Sequence, residues 1–499
     1  MNWTFEDFAV TGDPRLPMAT RIARAISDDI RRGRLTPSSR LPGSRKLAEH
    51  LGVHRNTAIA AYRALEAEGW TLTRPGSGTY IAPTLPELQP TPFAAAPPGP
   101  AQSPAYHLPT PPHLNTRRAP PPGTLMLAGG IPDLRLAPSP QLGRAWRRAV
   151  RRVECLGYGD PQGEASLRTA LSDMLRATRG VPADPQRMLI TRGAQMALHL
   201  IGRALLEPGD HVAVEAYGYP PGWSALRAAG ATLVPVPVDQ HGLDVEALQA
   251  RHAQHPLRAI YVTPHHQYPT LALLSSSRRL RLLRFAAAEG IAVIEDDYDH
   301  EFHFDGRPVL PLASADPHGV VLYVGTLSKV LAPGLRIGYV VAPPPVIQAL
   351  TAWRTLIDRQ NDRVTESAVA ELLEDGELAR HIRRMRRVYR ARRAAVIDAL
   401  QQHLGDALQF TVPPGGMALW ARAAPGIDVQ TWQAQAATHG VRIDTAQQFT
   451  FDGEPRPYLR LGFACLTPDE LHEAVRRLAA ARPKSPQRPQ AGQQAGPLY

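Results

Sequence analysis

Lysine is almost missing from this sequence. Of its 56 lysines and arginines, only Lys46, Lys329 and Lys484 are lysines, which leaves 53 arginines. A chain that uses arginine for nearly every cation has little need of lysine as a surface charge. Arginine cannot replace lysine where chemistry requires a primary amine that loses its proton and attacks a carbonyl. Lys329 is the only lysine between residues 47 and 483, and it sits among small and apolar neighbours in VGTLSKVLAPGLRIGY. It reads as a chance solvated charge or as an amine nucleophile, and its flanks favour the second.

Cysteine is as scarce. Cys155 and Cys465 are far apart, which argues for a reducing compartment and against a disulfide framework or a cysteine-based zinc cluster. No set of metal ligands is read from the sequence. No apolar run approaches the roughly 18 residues of a membrane span. The opening MNWTFEDFAV carries acids and no basic leader, so no signal peptide is expected and the protein is placed in the cytoplasm, away from membranes.

What is present is enough for a sizeable core: 499 residues, 43% hydrophobic. At about 150 residues per domain, roughly three domains are expected. The net charge of +11 suits an anionic partner such as DNA.

Residues 1–82 read as helices followed by a hairpin. Ile22, Ala25, Ile26 and Ile30 recur at helical spacing and Gly33 stops the run. Ser44 is the expected N-cap of a second helix through Leu51, which Gly52 breaks. A third helix is expected from Arg55 to Glu68, with Ala58, Ala61, Tyr62 and Leu65 facing inward. Two short helices joined through a glycine turn make the helix-turn-helix pattern, whose second helix enters the major groove. Leaving histidines aside, five basic residues and one acid lie between Arg40 and Arg63. Arg45 and Arg55 fall at or near helix starts, from which side chains reach base edges. The alternating stretch from Trp70 to Ile81 folds around a glycine-rich tip, with Arg74 placed to touch a phosphate or the minor groove. A helical protein-interaction module with a basic face is the alternative.

Residues 83–122 hold 14 prolines in 40 positions and read as a linker in extended polyproline conformation. At about 3.1 Å per residue it spans on the order of 120 Å. The tail, 482–499, rich in proline, glutamine and glycine, is expected to be disordered.

Residues 123–481 alternate short apolar runs with helical stretches. Expected strands are 188–190, 211–214, 232–238, 259–262, 291–294, 320–324 and 337–341. Strands separated by helices imply a mostly parallel sheet covered on both faces, with ligands at the strands' carboxyl ends. Thr191-Arg192-Gly193-Ala194-Gln195 follows one strand and opens a helix, a place where backbone amides meet a phosphate. Glu295-Asp296-Asp297-Tyr298 follows another. In extended backbone Asp296 and Tyr298 share a face while Asp297 points away. A carboxylate there keeps a pyridine nitrogen protonated and turns the ring into an electron sink. Read alone, the same run is also an acidic loop end.

The string LPGSRKLAEHLGVHRNTAIAAYRALEAEG…RPGSGTYI resembles the winged helix-turn-helix of GntR-type regulators. The motifs YGDPQGEASLR, ITRGAQMAL, EDDYDHEF, GTLSKVLAPGLRIGY and YLRLGF resemble fold type I aminotransferases. Head and body together resemble MocR-type regulators. The fold class implied is α/β, a winged helix-turn-helix joined by a Pro-rich linker to an aminotransferase-like domain that uses pyridoxal 5'-phosphate. By the resemblance, Arg45, Arg55, Asn56 and Thr57 fall on DNA-contacting positions and Gly76 on the wing tip. His54 stands where serine often caps the helix, so a weaker cap is expected. Lys329 would form the Schiff base, Asp296 pair with the pyridine nitrogen, and Tyr298 bond O3′. Gly193, Ala194, Gln195, Thr326 and Arg336 would hold the phosphate. Tyr158 would reach it from a second subunit, which implies a homodimer. Tyr219 is a candidate to stack on the ring, and Arg460 to bind an effector carboxylate through its planar fork.

Two departures stand out. Where many aminotransferases have Asn-Pro-Thr-Gly, this chain has Tyr268-Pro269-Thr270-Leu271. That leaves Tyr298 as the main expected O3′ partner, and the loss of glycine suggests a turn that closes differently. Both weigh against efficient transamination more than against cofactor binding. The reading is a regulator of transcription that binds double-stranded DNA and senses an amino compound, or the cofactor itself, through Lys329. The rivals are a working aminotransferase, and a DNA-binding regulator whose body serves only for dimerisation.

Overall fold

The structure is a computed structural model that describes residues 15–86, 106–108, 120–306 and 309–483, together with Phe8, Val10 and Asp13. Most of the proline-rich stretch 83–122, and the tail beyond residue 483, lie outside the described residues. The chain divides into two units, 1–116 and 117–499.

In the first unit, isoleucines four apart put one stripe of the helix Met18–Arg31 inward, and Ile22, Ile26 and Ile30 are buried there. They pack with Leu47 of the helix Ser44–His50 and with Ala58, Ala61 and Leu65 of the helix Arg55–Ala67. Full burial of each isoleucine contributes on the order of 1.5–3 kcal/mol. Trp70 and Ile81 close the core beneath the antiparallel hairpin Thr71–Arg74 and Gly78–Ile81.

One expectation about helix starts is corrected. Gly43, with extended backbone, takes the N-cap position, and Ser44 is the first helical residue and makes no side-chain cap bond. His54 caps the third helix: its Nδ1 accepts the backbone N–H of Asn56 at 3.2 Å.

The second unit holds a seven-stranded sheet. Its order is Met188–Thr191, Gly338–Val341, Val321–Thr326, Ala292–Asp297, Leu257–Val262, His211–Glu215, Thr232–Val236. Gly338–Val341 runs antiparallel to both its neighbours, and the remaining pairings are parallel. Successive residues alternate between two apolar layers. Met188, Ile190, Ala213, Ile260, Val262 and Val293 join one, and Leu189, Val212, Val214, Ala259, Tyr261 and Ile294 join the other. This is the pattern of a sheet covered on both faces.

All seven expected strands form, each with an end shifted by one to three residues. The strand expected over 232–238 ends at Val236, and Val238–Asp239 pairs instead with Gly242–Leu243. The strand expected over 291–294 runs on through Asp297, so the acidic run is its end rather than a loop.

A second core gathers around the 28-residue helix Glu377–Leu404 and a four-stranded antiparallel sheet, ordered Leu408–Phe410, Ala418–Ala423, Tyr458–Gly462, Asp444–Thr445. Arg460 lies within this sheet, opposite Trp420 and Asp444. Among the described residues no helix is long and apolar enough to cross a membrane.

Candidate nucleic-acid interface and ligand pocket

The residues singled out on the first unit are largely solvent-facing. Arg45, His54, Arg55, Asn56, Arg74 and Gly76 are exposed and Thr57 is half-buried. Arg55 opens the third helix, where the first-turn N–H groups have no partner inside the helix. At the hairpin tip, Pro75 precedes Gly76 at φ +74°, and the N–H of Ser77 returns to the carbonyl of Arg74 at 3.0 Å. Proline followed by a left-handed glycine is the requirement of a type II turn. Arg74 stands over the Tyr80 ring, 5.0 Å from its centre, which holds the guanidinium on the outer face of the wing.

In the second unit the strand ends converge on Lys329. Its Nζ donates to the carbonyl of Gly130 at 2.7 Å. Asp296 is buried at the end of its strand, and the Tyr261 hydroxyl donates to its Oδ2 at 2.8 Å. Its Oδ1 is buried without a hydrogen-bond partner. Burial pushes Asp296 up to about 6, while the Tyr261 bond and the charge of Lys329 pull it down. Asp297 faces elsewhere, accepting from the Tyr323 hydroxyl at 2.6 Å beside Arg179. Tyr298 donates its hydroxyl to the carbonyl of His266 at 2.9 Å.

The phosphate candidates gather at the start of the helix Ala194–Leu205. Gly193 has φ +78°, and a Cβ there would lie 2.9 Å from Arg336 Nη2. Glycine is therefore favoured by the backbone, and the close approach of Arg336 adds to that. Ala194 and Gln195 are the first helical residues, with N–H groups open to a ligand. Gln195 donates to the Pro221 carbonyl at 2.8 Å. Arg336 donates to the Arg192 carbonyl at 2.7 Å, and Thr326 donates to Ser328 Oγ at 3.0 Å.

Arg460 is fully buried, and none of its three guanidinium nitrogens has a hydrogen-bond partner. Its guanidinium carbon stands 4.5 Å from the centre of the Tyr268 ring. Burial pulls its pKa down, but Tyr268, Tyr298, Asp444 and Asp299 more than offset this and hold it above the usual arginine value. The Tyr268 ring is met edge-on by Tyr219 at 5.5 Å and Tyr298 at 5.8 Å. The turn that follows absorbs the loss of glycine as strain: Leu271 takes φ +65°, a left-handed conformation that costs an ordinary residue about 1–2 kcal/mol. Tyr158 is apart from this group, 79% exposed with Arg359 over its ring.

Sequence reasoning missed Gly129 and Gly130. A Cβ on Gly129 would overlap Arg460 Nη1, and one on Gly130 would lie 3.7 Å from the same atom and 3.8 Å from Lys329 Nζ. The two glycines are thus the floor between amine and guanidinium; the doublet in LAGGIP was the available signal. Tyr261, the partner of Asp296, left no signal at all. Histidines 265, 266, 300 and 303 were also passed over, although HH and HEFH flag them.

Glu215, at a neighbouring strand end, accepts from the Thr263 hydroxyl at 2.7 Å and its N–H at 3.2 Å. Burial pushes it up to about 8. The folded protein therefore holds a proton on Glu215 that the unfolded chain gives up near the ordinary glutamate range. Stability is fullest below that range and falls as pH rises toward 8, by up to about 1.4 kcal/mol per pH unit for this group. Glu215→Gln is expected to remove that part of the fall. Urea midpoints at pH 5, 6.5 and 8 check it: equal slopes in variant and wild type would contradict the protonated state.

Head and body together define a class, helix-turn-helix regulators carrying an aminotransferase-like unit. Residues 18–81 match the family "Bacterial regulatory proteins, gntR family", and residues 126–478 match "Aminotransferase class I and II". The chain is 33% identical over 476 residues to the probable rhizopine catabolism regulatory protein MocR of Rhizobium meliloti, covering 94% of each. It is 34% identical to the pyridoxine biosynthesis transcriptional regulator PdxR of Corynebacterium glutamicum, over 79% of this chain and 82% of that one. Among solved structures, the α-aminoadipate aminotransferase LysN of Thermus thermophilus superposes with a TM-score of 0.67 at 32% identity, over 72% of this chain and 92% of that one. The chain belongs to the MocR-type transcriptional regulators, with a GntR head and a fold type I aminotransferase body.

Proposed function

We propose that this regulator binds pyridoxal 5'-phosphate at Lys329 and uses it to sense a primary amine that carries a carboxylate. The observation that carries the reading is Arg460: a fully buried cation, unpartnered at all three nitrogens and separated from Lys329 only by Gly129 and Gly130. A buried charge without a partner is costly, and a carboxylate is the group that fits a guanidinium fork.

The other residues fit the cofactor. Gly193, Ala194, Gln195, Thr326 and Arg336 offer donors and positive charge for a phosphate. The unpartnered Oδ1 of Asp296 is free to take a pyridine N–H, and that bond would favour the ionised carboxylate. Pyridoxal phosphate supplies an aldehyde carbon that bonds reversibly to primary amines on an electron-withdrawing ring. Tyr298 holds its proton on the His266 carbonyl until another acceptor or donor competes for it. Tyr219 and Tyr268 wall the pocket.

A homodimer is part of the proposal. Tyr158 and its neighbours Val153 and Leu156 are exposed, as is Leu356, so an apolar surface carries the residue assigned to a second subunit's phosphate. The head binds double-stranded DNA through Arg45, His54, Arg55, Asn56, Thr57, Arg74 and Gly76, and the protein acts in the cytoplasm. Arg55→Ala is expected to weaken operator binding by roughly 1–3 kcal/mol and to relax sequence preference. Arg74→Ala is expected to weaken binding evenly across sequences and to lower its salt dependence by about one counterion. Fluorescence titration of operator and scrambled duplexes at several salt concentrations separates the two.

The test of the whole reading is operator affinity with and without the amine, on wild type and Lys329→Ala. A tenfold change needs about 1.4 kcal/mol of coupling. An undiminished response in Lys329→Ala would show that the lysine does not carry the signal.

A further inference from the structure

Four histidines meet beyond the ends of two neighbouring strands. His265 and His266 follow the strand Leu257–Val262, and His300 and His303 follow its parallel neighbour Ala292–Asp297. Parallel pairing sends both connections out at the same edge, which brings the two pairs together. The ring of His265 lies 4.4 Å from that of His266, 4.5 Å from that of His300 and 6.1 Å from that of His303. All four side chains are at least nine-tenths buried. Both ring nitrogens of His265, His300 and His303 lack a hydrogen-bond partner. His300 Nδ1 stands 3.1 Å from Asp297 Oδ2, an ion pair when the ring is protonated.

Buried imidazoles without partners forfeit the hydrogen bonds they had in water. One ligand nitrogen each from His265, His266 and His303 lies within 4.8 Å of the other two. His266 Nδ1 is engaged by Asp299 Oδ1 at 2.7 Å. That bond fixes the ring and leaves Nε2 to coordinate, the carboxylate–histidine pairing that orients ligands at metal centres. Gly415 packs close to that nitrogen, and a Cβ there would lie 2.7 Å from His266 Nε2.

We propose that His265, His266 and His303 form a binding site for a divalent transition-metal ion, with Asp299 as a positioning residue. Three imidazole nitrogens without a carboxylate ligand select ions of the zinc, cobalt, nickel and copper group over magnesium or calcium. Tetrahedral zinc, with bonds of about 2.0–2.1 Å, sets its nitrogens roughly 3.4 Å apart, so side-chain rotations of about an ångström close the site. The bound ion would tie the segment 264–268 to the segment 299–303. It would thereby fix the His266 carbonyl that receives the Tyr298 hydroxyl. The site does not depend on the cofactor reading, since no ligand in it belongs to the phosphate or amine set.

The test uses the full chain without an affinity tag. The protein is stripped with a chelator, equilibrated with zinc chloride and desalted, and its zinc is counted by mass spectrometry. About one ion per chain is expected, with a rise in Tm that chelator reverses. Asp299→Asn is expected to weaken zinc about 10–100-fold. A His265→Gln, His303→Gln double variant should bind none, and His241→Gln, at an exposed histidine, should bind as wild type does. If the double variant does not fold, wild-type stoichiometry and melting with and without zinc decide alone. A wild type that retains no zinc, or a folded double variant that binds it with unchanged affinity, overturns the proposal.

Discussion

Lys329→Ala protein is expected to be colourless where the wild type is yellow, and Lys329→Arg is expected to be colourless as well. The alanine removes the only amine that the strand ends hold near Asp296, whose carboxylate feels the Lys329 charge. The arginine keeps the positive charge and much of the length, so it separates electrostatics from nucleophilicity. A guanidinium stays protonated at any pH the fold survives and does not attack the aldehyde carbon. The expected effect is complete loss of the visible band in both variants. Absorbance of the purified proteins, before and after borohydride, is the measurement. A Lys329→Arg protein that keeps the band and fixes the cofactor on reduction would overturn the assignment. Retained DNA binding by both variants would show that the head folds without the linkage.

Arg460→Ala is expected to abolish the response to carboxylated amines while leaving colour and basal operator binding in place. Truncating one partner of a buried charge pair costs about 2–5 kcal/mol, or some 30-fold to several thousand-fold in affinity. Here the cost falls on the liganded state, because the free protein has no hydrogen-bonded partner for Arg460 to lose. The stability of the unliganded variant is therefore expected to change less than its affinity for the carboxylated amine. Arg460→Lys should recover only part of the response, since an ammonium cannot bind a carboxylate through two parallel bonds. Spectral titration with an amino acid and with the matching amine lacking the carboxylate checks this. Equal loss for both ligands would mean that Arg460 acts through packing on Tyr268 rather than through the carboxylate.

Much of this was legible before any fold was known, and for identifiable reasons. The isoleucine stripe of the first helix, the wing with its Pro-Gly tip and the seven apolar strands all follow from periods of 3.6 and 2 and from turn chemistry. Lys329 was conspicuous because so little lysine surrounds it. Where the reading slipped, the competing interaction was local and small. Gly43 supplies the extended cap position one residue before Ser44. Leu271 accepts a left-handed backbone that its side chain disfavours.

The sequence by itself determined the elements, their order and the chemical identities of Lys329, Asp296 and Arg336, because these depend on short-range pattern and residue type. Only the tertiary structure decided which groups meet. Tyr261 lies 35 residues before the Asp296 it bonds. Arg460 comes from a separate antiparallel sheet and is held against Gly129, from a segment more than 300 residues earlier. The four histidines face one another because two neighbouring strands end side by side. Such contacts arise from strand pairing and from the packing of one core against another, and no spacing along the chain encodes them.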